Sequence, residues 1–555
     1  MRSAGPDRYD HPSAWDMPLP PRMLHEMLLE KAGQQPDARF LHFMGRDFSY
    51  GEIAAAVRAL AAGLSANGVG DGCRVGLFLP NTPHYVIAYY AILMAGGTVV
   101  NFSPLYSEDE LVFQIEDSGT EIMVTLDLEQ LFPMIDKVMH RTGLKRIVAG
   151  NIAEMLPPVK ARLYRLLKGR DRADVDYSPR VIRFGDLCGY GAYEAAGGRD
   201  PATEVALIQY TGGTTGRPKG AELTHANLSV NAQQVQAIDP GLGGNNSILG
   251  GLPLFHVFAN TCVLNRTVVA GGWMVMLPRF DVKDALQAIE THRIAAFPGV
   301  PAMYRGMLDH PELSSFDLTS LTVCISGGAP MPTELREEFI SVTGAKLVEG
   351  YGLTESSGVV SCNPYEGGGK RGSIGQPVPG TSIVIVDQDD PTKALGTGEK
   401  GEITVEGPQI LKRYHNRPDA NETTFVDGRL RTGDVSYVDA DGYAFIVDRM
   451  KDLILVGGFN VYPSAIEEVL YRQPAVKEAI VIGVPDARVG ERPKGFVTLK
   501  AGETVDAETL RAAVNGEVGK HERMVALEIR DELPKTMIGK LSRKELVAEE
   551  RARTG

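Results

Sequence analysis

Several things are scarce in this chain of 555 residues, and each scarcity closes off a class of protein. Its five cysteines, Cys73, Cys188, Cys262, Cys324 and Cys362, are scattered and form no C-x-x-C pair. That excludes a disulfide framework and a cysteine zinc site, and fits a reducing compartment. Positive charge is in deficit: 57 basic against 70 acidic side chains leave a formal −13. A generic nucleic-acid binder carries a cation excess, so none is expected and any anion site must be local. The N-terminal stretch MRSAGPDRYDHPSAWDMPLP lacks the apolar core of a signal peptide, and the expected location is the cytoplasm. The longest uncharged run, 85–107, is broken by Gly96, Gly97, Asn101 and Pro104, so it reads as a buried helix turning into a strand rather than as a membrane span. Low-complexity tracts are missing too, and 43% hydrophobic with 23% charged residues is ordinary for a folded soluble protein.

What is present suggests several cores, because the chain is too long for one. Short β-branched runs (73–79, 121–126, 205–211, 294–299, 321–327) alternate with helix-length patterns, the rhythm of layered α/β architecture with largely parallel sheets. Two stretches, AYYAILMAGGTVVNFSP (88–104) and TCVLNRTVVAGGWMVMLP (261–278), each read as apolar helix, Gly-Gly turn and apolar strand, which predicts two related subdomains. From about Thr381 to residue 450 closely spaced strands predict a smaller β-rich unit. The expected domains are therefore 1–450 and a small α+β domain over 451–555.

The stretch YTGGTTGRPKG (210–220) follows a buried-strand pattern, at the sheet edge where α/β folds bind ligands. Gly212, Gly213 and Gly216 allow N–H groups to converge on an anion, Thr211, Thr214 and Thr215 add hydroxyl donors, and Lys219 adds a compact charge. That describes a polyphosphate cradle, though not a Walker A loop, because Arg217 and Pro218 separate glycine from lysine. A solvated glycine-rich turn remains the alternative. A second oddity is the basic amphipathic run VKARLYRLLKGRDR (159–172). It suits peripheral contact with anionic lipid, or equally a surface helix packed on its own domain.

The cradle motif is followed in order by LPLFH (252–256), SGGAP (326–330), EGYGLTE (349–355), RTGD (431–434), DRMKD (448–452), GGFNVYPSAIEE (457–468) and PKTMIGK (534–540). In this the chain resembles the adenylate-forming superfamily, and most of all bacterial fatty acyl-CoA synthetases. The resemblance implies a large N-terminal domain of two α/β subdomains with a β-rich subdomain, and a mobile α+β C-terminal domain. It also implies a two-step reaction: a carboxylate attacks the α-phosphorus of ATP, giving acyl-adenylate and pyrophosphate, and coenzyme A thiol then takes the acyl group and releases AMP. Two anions must meet, so Mg²⁺ and lysine are needed to neutralise charge, with both reactants held in place.

Implied roles follow by motif. Lys540 bridges the carboxylate and α-phosphate, Glu355 and Thr214 serve Mg²⁺, and Thr354 reaches the α-phosphate. Tyr351, between Gly350 and Gly352, stacks on adenine beside Gly328, Ala329 and Pro330, while Asp434 and Arg449 hold the ribose. His256 lies between the acyl and CoA sites, Lys451 is the hinge, and Gly457, Gly458 and Phe459 form the pantetheine tunnel. Val257, Phe258, Asn260, Val300, Tyr304 and Gly327 line the acyl pocket, where Gly327, Gly328 and Gly352 leave room for a chain. Each has a plainer reading: a Thr-Glu pair starts helices, an Asp after Thr-Gly is a turn residue, and a lone His on an apolar segment is usually core. Arg429 departs from the family's usual aromatic there. Expected partners are fatty acid, ATP and CoA, with no nucleic acid, and further expectations are a homodimer and membrane contact. Loading of a separate carrier protein, a dicarboxylic or aromatic acid substrate, a luciferase-like oxygenase and a non-catalytic lipid binder are the rivals.

Overall fold

The uncharged run behaves as its composition demands. In the computed structural model, which describes residues 8–167, 171–195, 197–211, 218–239, 244–367, 369–486, 488–535 and 541–554, Pro83–Met94 is a helix whose twelve residues are all buried. Pro83 occupies the first turn, where its missing N–H costs nothing. The helix feeds the strand Thr98–Phe102 through Gly96, whose φ of 87° favours glycine. The second copy repeats the plan: Arg266–Ala270 ends at Gly271, φ 63°, and leads into the strand Trp273–Met276.

These two strands belong to different sheets. Thr98–Phe102 sits inside an eight-stranded sheet between Val205–Thr211 and Arg74–Phe78, with Ile122–Leu126, Arg146–Gly150 and Val181–Arg183 continuing it in parallel. Lys219–Thr224 and Arg413–Tyr414 close its other edge antiparallel. Trp273–Met276 sits in a nine-stranded sheet beside Ser247–Gly250, which leads in parallel through Ala296–Gly299 and Val323–Ser326 to Lys346–Tyr351. The recurrence seen in sequence thus marks two α/β layers. Below the second lies a core built on Phe297, Tyr304 and Phe339, whose rings meet at 5.1 and 5.0 Å; such pairs add about 1 kcal/mol beyond their buried area.

The chain divides into two compact units, Met1–Ser382 with Glu406–Phe425, and Ile383–Val405 with Val426–Gly555. This cuts through the stretch expected to form one β-rich subdomain of a 1–450 domain. Residues 406–425 join the first unit because Arg413–Tyr414 extends its sheet, while Gly401–Glu406 pairs with Arg429–Val438, which in turn pairs with Ala444–Arg449. In the second unit a separate five-stranded sheet, including the long antiparallel pair Val476–Asp486 and Gly490–Leu499, packs against the helices Pro463–Tyr471 and Ala507–Glu517 around Ile466, Val481, Val497 and Val514. Among the described residues no helix is long and apolar enough to cross a membrane.

Candidate functional site

The glycine-rich stretch closes a β-hairpin: Val205–Thr211 and Lys219–Thr224 run antiparallel with Thr211 opposite Lys219. Gly212, Gly213, Thr214, Thr215 and Gly216 lie outside the described residues, but both ends of their segment are fixed. The Tyr210 hydroxyl donates to Asp117 Oδ2 at 2.7 Å, and Arg417 Nη2 donates to Asp117 Oδ1 at 2.7 Å. Lys219 Nζ stands 4.2 Å from the centre of the Tyr414 ring, whose hydroxyl donates to Glu355 Oε1 at 2.5 Å. Burial, with the Glu355 charge adding to it, raises the Tyr414 pKa, so the phenol stays a donor. One strand over, Glu222 accepts from Arg413 Nε at 2.8 Å and His415 Nδ1 at 2.7 Å. Burial opposes its ionisation, yet those two partners hold the carboxyl below its usual range. Lys219 and Glu355, far apart in sequence, are thus brought together through Tyr414, which sequence reasoning missed.

At the end of Lys346–Tyr351 the chain passes Gly350, Tyr351 and Gly352 and makes one 3-10 turn, Thr354–Ser356, which carries Thr354 and Glu355. A Cβ on Gly352 would fall 1.9 Å from the Gly358 carbonyl oxygen. Its smallness therefore serves a close backbone approach at this turn, where any side chain would collide. Gly327 does face an expected neighbour, since its Cβ would meet the Phe258 ring at 3.0 Å. Gly328, φ 77°, Ala329 and Pro330 follow the end of the strand Val323–Ser326. Tyr304 is placed differently from its expected role as pocket lining: it is fully buried and donates to the carbonyls of Phe297 at 2.8 Å and Ile325 at 3.1 Å. Val257 and Val300 are buried.

Asn260 is also enclosed. It opens a π-helical turn, Asn260–Asn265, and its Oδ1 accepts from Tyr89 at 3.2 Å and Asn265 at 2.8 Å. His256 caps the preceding turn by accepting from the Phe258 N–H at 3.3 Å. Desolvation pulls its pKa down to about 4, so the ring is neutral at pH 7. Glu349, at the start of EGYGLTE, accepts from the Met331 N–H at 3.4 Å, and burial pushes its carboxyl up to about 8.

In the second unit Asp434 lies buried opposite Arg449, whose Nε is 3.0 Å from Asp434 Oδ1. The loop before it is pinned by Glu402, a residue absent from the motifs: Arg431 donates to Oε2 at 2.9 and 2.7 Å, and the Gly433 N–H donates to Oε1 at 3.0 Å. Arg429, standing where an aromatic was expected, pairs with Asp427 at 3.3 Å. Lys451 lies in a 3-10 turn, Met450–Asp452, and both neighbouring carboxylates are tied: Asp448 accepts from the N–H and hydroxyl of Ser464 at 2.9 Å, and Asp452 pairs with Arg543. Gly457 and Gly458, φ 60° and 88°, form the two-residue turn joining Ile454–Val456 to Phe459–Val461, the left-handed geometry hairpins prefer. Phe459 is 56% exposed and stacks on His521 at 4.1 Å. Nearby in sequence, Lys520 and Arg523 join Arg492 and Arg511 around a cavity of about 770 Å³, a cationic basin that sequence reasoning did not find. Lys540 lies outside the described residues. The ends of its segment are held by Lys535 pairing with Leu541 and by the Ser542 N–H donating to the Pro534 carbonyl at 2.8 Å.

Comparison with known proteins gives the family and the fold. Residues 28–415 match the AMP-binding enzyme family, and residues 465–540 match the AMP-binding enzyme C-terminal domain. A long-chain-fatty-acid–CoA ligase of Bacillus subtilis is 40% identical over 99% of each chain, and one of Escherichia coli O157:H7 is 35% identical over 99% of this chain and 96% of its own. Among solved structures, ATP-bound MatB from Rhodopseudomonas palustris superposes with a TM-score of 0.84 at 28% identity, covering 96% of this chain and 99% of the other. The o-succinylbenzoate coenzyme A synthetase of Bacillus subtilis, in complex with ATP and magnesium ion, gives 0.77 at 28%, covering 94% and 99%.

Proposed function

The chain belongs to the family of AMP-binding enzymes, and from that premise we propose that it is an AMP-forming fatty acyl-CoA ligase. The observation that carries the reading is the 40% identity, end to end, with a protein named for that activity. Two anions must react, and the residues present suit the task. Lys219, steadied over Tyr414, and Lys540 supply positive charge to the triphosphate and the carboxylate. Glu355, its carboxylate oriented by the Tyr414 hydroxyl, offers hard oxygen to Mg²⁺. Among the described residues no cluster of three His, Cys, Asp or Glu could cage a metal, which fits an ion that keeps waters and phosphate oxygens as its other ligands. When bound, Mg²⁺ neutralises charge on the transferring phosphoryl group.

Thr354 reaches the α-phosphate, Tyr351 stacks on adenine, and Asp434 with Arg449 holds the ribose in this reading. The neutral His256 and Phe258, beside Gly327, border the acyl group. Coenzyme A is the acceptor, its pantetheine passing Gly457, Gly458 and Phe459 and its phosphates drawn to the basin of Arg492, Arg511, Lys520 and Arg523. Rotation about Lys451 exchanges the two half-reactions, and it must break the bonds that tie Asp448 to Ser464. The enzyme acts in the cytoplasm, where its free cysteines stay reduced.

The test is AMP release dependent on ATP and CoA across acetate, hexanoate, octanoate, palmitate, benzoate and a dicarboxylate, with Lys540→Ala as control. Turnover of medium or long acyl chains that requires CoA and disappears in the variant is expected. Pyrophosphate release without CoA consumption would point to loading of a separate carrier, and a preference for benzoate or the dicarboxylate would overturn the fatty-acid assignment.

A further inference from the structure

The helix Pro158–Leu167 is attached to the first unit by one side only. Ala161 is its single buried residue and Tyr164 is half-buried, whereas Val159, Leu163, Leu166 and Leu167 are 73%, 50%, 77% and 77% exposed. At 3.6 residues per turn these four fall on an arc of about 100° roughly opposite Ala161. A soluble helix ordinarily turns such a stripe inward. Here the anchoring side is the narrow one, and the broad apolar stripe faces out.

Cations flank the stripe. Lys160 lies just beyond Leu167 on one border, while Arg162 and then Arg165 follow Leu166 on the other; no acidic residue occurs from 157 to 170, in a chain of net charge −13. A second segment meets the same place. The antiparallel strands Arg39–Phe43 and Arg46–Ser49 are joined by Met44 and Gly45, both at positive φ, 47° and 91°. Methionine rarely adopts that conformation, and here it leaves the side chain 40% exposed. Lys160 Nζ donates to the Met44 carbonyl at 3.1 Å, so the turn is fixed against the helix.

We propose that this face, Val159, Leu163, Leu166 and Leu167 with Met44 at its margin, is a docking surface for an anionic lipid bilayer, lying in the interface plane with its arginines on the headgroups. The charge selects the occupant: a second copy presenting the same face would set these cations against their own like, and a purely apolar groove would leave them unmatched, whereas anionic headgroups around an apolar layer match both stripe and borders. Binding does not depend on the ligase reading. Its consequence does: a water-insoluble fatty acid would be taken up from the layer in which it is dissolved.

The test uses the full chain and sedimentation with vesicles of phosphatidylcholine, alone or mixed with phosphatidylglycerol. Wild type should bind the mixed vesicles and lose binding as salt rises. Arg162→Gln with Arg165→Gln should weaken that binding on the order of 30-fold, at about 1 kcal/mol per cation, and flatten the salt response. Leu163→Glu with Leu166→Glu should abolish it with an unchanged thermal midpoint, since both residues are exposed. Equal binding by either double variant, no binding by wild type, or a dimer that the leucine variant dissociates would each overturn the proposal. Turnover of palmitate carried in vesicles should fall in the leucine variant while turnover of free octanoate stays put. If neither acid is turned over by any form, the ligase reading fails and the vesicle result still stands or falls by itself.

Discussion

Tyr414 serves two neighbours with one side chain: its ring lies under the Lys219 ammonium and its hydroxyl orients Glu355. Tyr414→Phe separates the two, because the ring stays and the O–H goes. A hydrogen bond to a charged group is worth about 1.5–3 kcal/mol, so kcat/KM should fall about 10- to 100-fold with the thermal midpoint little changed and a greater demand for Mg²⁺. An unchanged Mg²⁺ dependence would remove Glu355 from the proposed metal site. Tyr304 gives the contrast. Its hydroxyl bonds two backbone carbonyls inside the core, so Tyr304→Phe should cost about 1–2 kcal/mol in stability and leave the acyl-length profile of the ligase as it was. A shifted profile would return Tyr304 to the pocket.

Elements were the legible part of this chain. Buried runs such as VALIQYT and the all-apolar helix before Gly96 announce themselves by composition, and the helix–Gly-Gly–strand recurrence located the two sheets. The site was legible only as motifs. A glycine that admits ligand and one that admits a close backbone neighbour are the same letter, and no local pattern announced that Gly352 faces the Gly358 carbonyl. Tyr414, Asp117 and Glu402 were invisible because each acts on a residue well removed along the chain, and no local pattern marks such a partner. The Gly457-Gly458 turn shows both readings at once: the hairpin needs left-handed residues there whatever passes over it. Ser464→Ala tests how that region moves. It removes the hydroxyl bonds to Asp448 and to the Val447 carbonyl but keeps the backbone bond to Asp448, so the ratio of thioester formation to adenylation should change about 3- to 10-fold, as the loss of about 1 kcal/mol would give. Equal half-reaction rates in variant and wild type would argue against a rotation that breaks this contact.

At the scale of the whole molecule, the histidines are unevenly spread, and acid should find the difference. His11, His25 and His256 are driven down to about 4 and His225 to about 3, in each case chiefly by burial. All four belong to the first unit, and His521 is the one histidine of the second. His225 and His256 use Nδ1 to accept backbone N–H bonds from Leu24 and Phe258, which protonation at that atom would break. An unfolded imidazole takes its proton near pH 6.5, well before the folded ones do. Between those values the unfolded chain binds more protons, so stability rises with pH across that window: it is full above about 6.5 and is lost as pH falls toward 4, at up to about 1.4 kcal/mol per pH unit for each histidine. Glu349 works the other way between its unfolded value and about 8, since burial favours its protonated form, and it offsets one histidine at most. Calorimetry from pH 7.5 to 4 should therefore show the first unit's transition collapsing steeply below 6.5 while the second unit's moves little. His225→Asn, which keeps an acceptor for the Leu24 N–H, should flatten the first slope by roughly one histidine's share. A first-unit midpoint that stays level down to pH 4 would mean that these rings are protonated in the folded state at no cost, and that the buried neutral imidazoles do not set the acid limit of the fold.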